Sequence, residues 1–125
     1  RLVNYAFAGV KPEIMGVGPI PATKKVLERS GMKFDDLDII EANEAFAVQI
    51  IAFMNEFGMQ FPDDPRLNKW GGAIAFGHPL ASSGCRLMAH LALLFEENPG
   101  AKYGLTTMCV GLGQGGSVIW ENVQG

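Results

Sequence analysis

Leu37-Asp38-Ile39-Ile40-Glu41-Ala42-Asn43-Glu44-Ala45-Phe46-Ala47-Val48-Gln49-Ile50-Ile51-Ala52-Phe53-Met54-Asn55-Glu56-Phe57 is the stretch on which the fold turns. Its opening, Leu37 to Glu41, is short, apolar and preceded by Asp35-Asp36, the pattern of a strand entered from a turn. Asn43 then stands ahead of an apolar run that continues to about Phe57, which predicts a helix with Asn43 as its N-cap, the side-chain oxygen taking a free backbone N–H. Ala45, Phe46, Ala47, Val48, Ile50, Ile51, Ala52, Phe53, Met54 and Phe57 surround this helix, leaving Gln49, Asn55 and Glu56 as a narrow polar side. A helix apolar on every side is buried between layers. Exposing four of its large side chains would forgo about 6 to 12 kcal/mol, comparable with the whole stability of a domain, about 5 to 15 kcal/mol. The helix is therefore expected to be covered on its far side by something beyond these 125 residues.

Working outward, Leu2 to Ala8 reads as a strand stopped by Gly9 and Pro12. Gly16-Val17-Gly18-Pro19-Ile20-Pro21 reads as a turn, and Ala22 to Ser30 as a helix with Pro21 at its start and Gly31 past its end. On the other side, Gly58 to Trp70 is a loop carrying Pro62 and Pro65, and Gly71 to Phe76 is a strand-like segment broken at Gly77-His78-Pro79. A helix follows from about Cys85 to Phe95, ended by Asn98-Pro99-Gly100. Tyr103 to Cys109 and Ser117 to Glu121 read as strands joined across the Gly111 to Gly116 run, a hairpin. The order β-α-β-α-β-α-β-β implies an α/β fold: a mixed five-stranded sheet, mostly parallel, with helices on both faces and an antiparallel contribution at its edge.

The length fits one domain. With 48% hydrophobic and 18% charged residues the chain has material for a core and the composition of a soluble globular protein. Ten basic against thirteen acidic residues provide no stripe to neutralise phosphates, so nucleic acid is not an expected partner. The apolar runs are far shorter than the roughly 20 residues that span a bilayer, and no membrane association is expected. Two cysteines without a CxxC fit a reducing, cytoplasmic setting better than a disulfide framework. The chain opens on Arg1 with no signal-peptide layout and reads as an excised or internal piece.

Several motifs could carry chemistry. Gly111-Leu112-Gly113-Gln114-Gly115-Gly116 formally satisfies GxGxxG, but a strand follows it where a dinucleotide site needs a helix N-terminus. No metal is expected: the spacing of His78 and Cys85 matches no zinc pattern, Cys85 reads as a small core residue, and His90 as a solvated helix residue. Cys109 ends an apolar strand and opens the run Cys109-Val110-Gly111-Leu112-Gly113-Gln114-Gly115. A thiol against glycines that leave backbone N–H groups unobstructed has the ingredients of a reactive cysteine beside an oxyanion-binding turn. A buried structural cysteine ahead of a glycine turn explains the run equally well. His78 is a candidate general base or a structural histidine, and Asn43 a candidate catalytic amide or a helix cap. All three fall at the C-terminal ends of expected strands, where open α/β sheets place their sites.

Asn43-Glu44-Ala45-Phe46-Ala47, Gly71-Gly72-Ala73-Ile74-Ala75-Phe76-Gly77-His78-Pro79 and Cys109-x-Gly111-x-Gly113-x-Gly115, in this order, resemble the three signature segments of the C-terminal domain of thiolases, the acetyl-CoA acyltransferases. Gly16 to Pro21 is also similar to that family, so the resemblance covers essentially the whole chain, 1–125. It implies a thiolase-like half, with helices sandwiched between the sheets of two halves of the same topology. It also implies Claisen chemistry: condensation of acyl-CoA thioesters, or thiolysis of a 3-ketoacyl-CoA. Cys109 matches the acid/base cysteine, His78 the histidine that activates the acyl-accepting cysteine, and Asn43 the asparagine that completes an oxyanion hole through a water. Backbone N–H groups around Cys109 and Gly111 match a second oxyanion hole, and Phe46 lines the acyl pocket.

The implied partners are acyl-CoA, coenzyme A and an N-terminal thiolase domain, in a homodimer or homotetramer. Coenzyme A thioesters enter as substrate, so no cofactor is implied. The acyl-accepting cysteine belongs to the N-terminal half, and neither cysteine here sits in a matching motif, so this chain alone is expected not to run the two-step reaction. Two departures stand out. Ala81 occupies a position where the family usually has glycine, at a cost of about 1 kcal/mol if φ there is positive. Trp70 replaces a small polar residue ahead of Gly71. A ketoacyl synthase fits less well, because that family has a second histidine where Cys109 stands here, and a non-catalytic acyl-CoA binding or assembly protein has no need of an acid/base thiol.

Overall fold

Leu2–Gly9, where Tyr5 and Phe7 alternate with small residues, forms β1 in a computed structural model that describes residues 1–123. A 3-10 turn over Pro12–Val17 leads through Gly18 into α1, Pro19–Ser30, which ends on Gly31 in the left-handed region at φ 64°. Strand β2 is Ile39–Ala42, and α2 is Ala47–Glu56. The short α3, Ala73–Phe76, precedes the long α4, Leu80–Glu97, which Asn98 closes. Strands β3, Tyr103–Val110, and β4, Gln114–Glu121, make the final hairpin.

The sheet order is β1-β4-β3-β2. β4 pairs antiparallel with both β1 and β3, and β2 pairs parallel with β3. The expected α/β class with helices on both faces is present, but the sheet has four strands and not five. Its antiparallel strand lies inside the sheet between β1 and β3, not at the edge. Beyond β2 a single parallel bridge joins Ile40 to Leu67, continuing the pairing for one residue. Gly71 to Phe76, read as a strand, instead turns into α3. The Glu44 carboxylate lies across the start of that helix and accepts from the Ile74 N–H at 3.0 Å. A free first-turn amide with an acid beside it favours the helix over an extended segment with no partner strand.

Alternation along the strands divides the core. Ala6, Ile40, Leu105 and Ile119 point to one face, where Val26 and Leu27 of α1 and Phe53 and Met54 of α2 cover them. Ile39 points to the other face, packed by Leu91, Leu94 and Phe95 of α4, with Trp70 and Trp120 beside them. The approach of α1 to β4 is so close that a Cβ on Gly115 would lie 2.0 Å from the backbone of Gly18, so only glycine fits at that crossing.

Helix α2 departs from the sequence reading at both ends and in its orientation. Its N-cap is Phe46, not Asn43, which is drawn into the interior. Gln49, assigned to the polar side, is buried, while Val48 is 71% exposed and Ile51 is exposed too. Helix α4 begins five residues earlier than Cys85 and includes Ala81, which has no positive φ, so the conditional strain at that position does not arise. Cys85, expected in the core, is exposed. His90, expected in water, is half-buried and meets Trp70 and Phe76 edge-on. The Gly111 to Gly116 run is a turn only through Gly113, and β4 takes the rest because its small residues pair with β1 and β3.

Candidate functional site

β3 delivers Cys109 one residue before its end, and the turn that follows carries Gly111. Phe46 caps the N-terminus of α2. α3 ends at Gly77, whose φ of 88° reverses the chain in a way an L side chain resists, and His78 follows. These segments meet at a hollow of about 350 Å³, lined by Cys109, His78, Gly111 and Phe46 together with Met15, Ala45, Leu80, Met108 and Val110. Four of the five residues singled out from sequence thus share one concave surface. The fifth, Asn43, is fully buried behind it and its Nδ2 lies 3.3 Å from His78 Nε2. Cys109, near the end of β3, and Asn43, just past β2, do stand at C-terminal ends of strands, as expected, whereas His78 follows the short helix.

Hydrogen bonds give the site a direction. Ser83 Oγ lies 2.6 Å from His78 Nδ1 and 3.2 Å from the Pro79 carbonyl, which can only accept. The assignment that satisfies every partner has Ser83 donating to Pro79, His78 Nδ1–H donating to Ser83, and His78 Nε2 accepting from Asn43. Arg86 Nη2 donates to Asn43 Oδ1 at 3.4 Å. On the thiol side, Cys109 Sγ donates to Gln49 Oε1 at 3.4 Å, and Gln49 Nε2 donates to the Asn43 carbonyl at 3.3 Å. Burial pushes the Cys109 thiol above its ordinary range.

Below this layer sits a group that the sequence reading did not single out. Glu41 is fully buried, and burial raises its carboxyl to about 7, with Arg86 pulling it down and Glu44 adding to the rise. His90 Nδ1 stands 3.4 Å from Glu41 Oε2, and burial followed by the Arg86 charge lowers the histidine. A proton held by Glu41 can face a neutral His90 across this contact. Glu44 anchors the other side, accepting from Asn68 Nδ2 at 2.8 Å. Gln49 and Arg86 had one signal in the sequence: each is a polar residue inside an otherwise apolar helical stretch. Among the described residues no group of three or more His, Cys, Asp or Glu converges as a metal site, and no helix is long and apolar enough to cross a membrane.

A family model described as thiolase, C-terminal domain, matches residues 1–122. A 3-oxoadipyl-CoA/3-oxo-5,6-dehydrosuberyl-CoA thiolase of Escherichia coli strain K12 is 50% identical over 124 residues, 98% of this chain and 30% of the relative. A 3-ketoacyl-CoA thiolase of Pseudoalteromonas translucida is 48% identical over 124 residues, 99% of this chain and 32% of the relative. The crystal structure of human mitochondrial 3-ketoacyl-CoA thiolase superposes with a TM-score of 0.91 at 41% identity, covering 98% of this chain and 30% of that one. That of the Bacillus anthracis acetyl-CoA acetyltransferase also reaches 0.91, at 36% identity, with 98% and 30% covered. The chain therefore spans about a third or less of the length of these relatives.

Proposed function

Since the chain belongs to the thiolase C-terminal domain family, we propose that it is the acid/base half of a thiolase, acting in acyl transfer between coenzyme A thioesters. The observation that carries this reading is the shared hollow, with Cys109, His78, Gly111 and Phe46 on its surface and Asn43 against His78. An N-terminal half supplies the acyl-accepting cysteine and completes the pocket for acyl-CoA and coenzyme A.

In condensation, the Cys109 thiolate takes a proton from the α-carbon of an acyl-CoA, and the resulting carbanion attacks the acyl group on the N-terminal cysteine, breaking its thioester C–S bond and releasing that cysteine's thiolate. An α-proton is weakly acidic, so the developing enolate oxygen needs donors aimed at it; such groups are worth several kcal/mol. In this reading a water held by Asn43 together with His78 completes the oxyanion hole for that oxygen, and backbone N–H groups near Cys109 and Gly111 make the second oxyanion hole. In thiolysis the order reverses: carbon–carbon cleavage releases the carbanion, and the Cys109 thiol returns its proton. Burial suits Cys109 to that second role, because it favours the protonated thiol at rest. A reducing cytoplasm is the setting of this reading. A homodimer or homotetramer of the complete polypeptide is part of the same reading.

The test is Cys109→Ser in the complete polypeptide. Thiolysis and condensation are expected to fall about 10²- to 10⁴-fold, the usual range for a lost acid/base group, while acyl-CoA binding stays within a few fold. Unchanged turnover would remove the catalytic assignment of Cys109.

A further inference from the structure

Arg86 projects from α4 toward the back of the hollow, where its Nε and Nη1 are buried without a hydrogen-bond partner. Both carboxylate oxygens of Glu41 are buried in the same condition, and the two groups interact electrostatically. The guanidinium also lies over the Phe76 ring, 5.8 Å from its centre. Burying such a charge is unfavourable unless other groups compensate it. The hydrogen bond this guanidinium does make goes to Asn43 Oδ1.

A guanidinium carries donors only. Its contact with Asn43 therefore decides which end of the amide faces which neighbour: oxygen toward Arg86, Nδ2 toward His78. Asn43 is 0% exposed, so the orientation of its amide is set by the groups packed around it. The Asn43 backbone is held separately, its N–H donating to the Thr107 carbonyl at 2.9 Å. Arg86 thus acts on the side chain alone.

We infer that Arg86 is a positioning residue, which turns the Asn43 amide so that its donor faces His78. The inference rests on the thiolase reading of the site. It makes Arg86 act on turnover through Asn43.

A double-mutant cycle in the complete polypeptide tests this. Arg86→Met and Asn43→Ala are each expected to lower kcat about 10²-fold, the scale of a misplaced catalytic group, with KM changed less than threefold. The double variant is expected to be no slower than the worse single one. Independent losses that multiply, or wild-type kcat in Arg86→Met, would overturn the inference. If Arg86→Met does not fold, Arg86→Lys replaces it in the cycle: a smaller loss, about tenfold, must again vanish in the Asn43→Ala background. A second readout needs no turnover. The Asn43 side-chain amide signals in a ¹⁵N–¹H spectrum, identified by their loss in Asn43→Ala, are expected to shift and exchange faster in Arg86→Met. Unaltered signals there would overturn the positioning role. No turnover from the wild type, or full turnover from Cys109→Ser, would instead sink the thiolase reading and leave the amide signals to decide on Arg86.

Discussion

Glu41 is a carboxyl at the centre of a strand with no exposed surface, and its protonation couples the stability of the molecule to pH. Its folded pKa of about 7 lies above the unfolded value of 4.5, because burial penalises the charged form more than Arg86 favours it. Between those values the folded chain holds a proton that the unfolded chain has released. The stabilisation is complete below pH 4.5 and is lost as pH rises through about 7. The difference amounts to about 3 kcal/mol at roughly 1.36 kcal/mol per pKa unit. His90, lowered by burial, acts with the opposite sign as pH falls through its unfolded value of 6.5. Comparison of wild type with Glu41→Gln in urea unfolding from pH 5 to 8 separates the two. The wild type is expected to lose stability relative to the variant as pH rises; parallel curves would contradict the raised carboxyl. The role of Glu41 was not legible beforehand, because a single acid in Ile39-Ile40-Glu41 reads equally well as the exposed side of a strand. The Asn43, His78 and Cys109 positions were legible because each stands in a motif, although the cap assigned to Asn43 belongs to Phe46.

At the scale of elements, glycine does different things in two places that look alike in sequence. Gly111 lines the hollow and a Cβ there would meet nothing within 4 Å, whereas Gly115 lies against the backbone of Gly18. Gly115→Ala must therefore push the start of α1 away from β4, and overpacking costs typically about 1 to 3 kcal/mol, more when backbone has to move. A loss of about 3 kcal/mol is expected from denaturant midpoints, against less than about 1 kcal/mol for Gly111→Ala. Equal effects would mean that the crossing is loose. Strands β1 and β3 and the end of helix α1 at Gly31 were readable from local patterning and terminal punctuation, whereas α1 begins at Pro19, inside the stretch read as a turn. Gly71 to Phe76 was not: its apolar run fits either state, and the choice rests on the Glu44 carboxylate at the Ile74 amide, 30 residues away. The same holds for α2, whose polar Gln49 turns inward because Cys109 and the Asn43 carbonyl offer it partners.

The whole molecule presents apolar surface on more than one side. Phe46, Val48 and Ile51 stand out around α2, and Tyr5, Phe7 and Met88 stand out on the α4 side of the sheet. An exposed set of this size is characteristic of surfaces that contact another body. This agrees with the expectation that α2 is covered from outside. The chain on its own is accordingly expected to bind a hydrophobic dye such as ANS with strong fluorescence, and the complete polypeptide to bind much less per mole. Equal dye binding by the two would argue that this surface stays open.

The α/β class, the family resemblance and the motif residues that meet at the hollow follow from the amino-acid order alone, because each is encoded in local periodicity or in a short contiguous motif. The four-strand sheet with its antiparallel strand inside, the inward turn of Gln49 and Asn43, and the reach of Arg86 to Asn43 across 43 positions of chain emerge only once the chain is folded. Those outcomes depend on which distant groups become neighbours once water is excluded. A buried polar atom takes the partner the fold brings to it, and no local pattern specifies that partner.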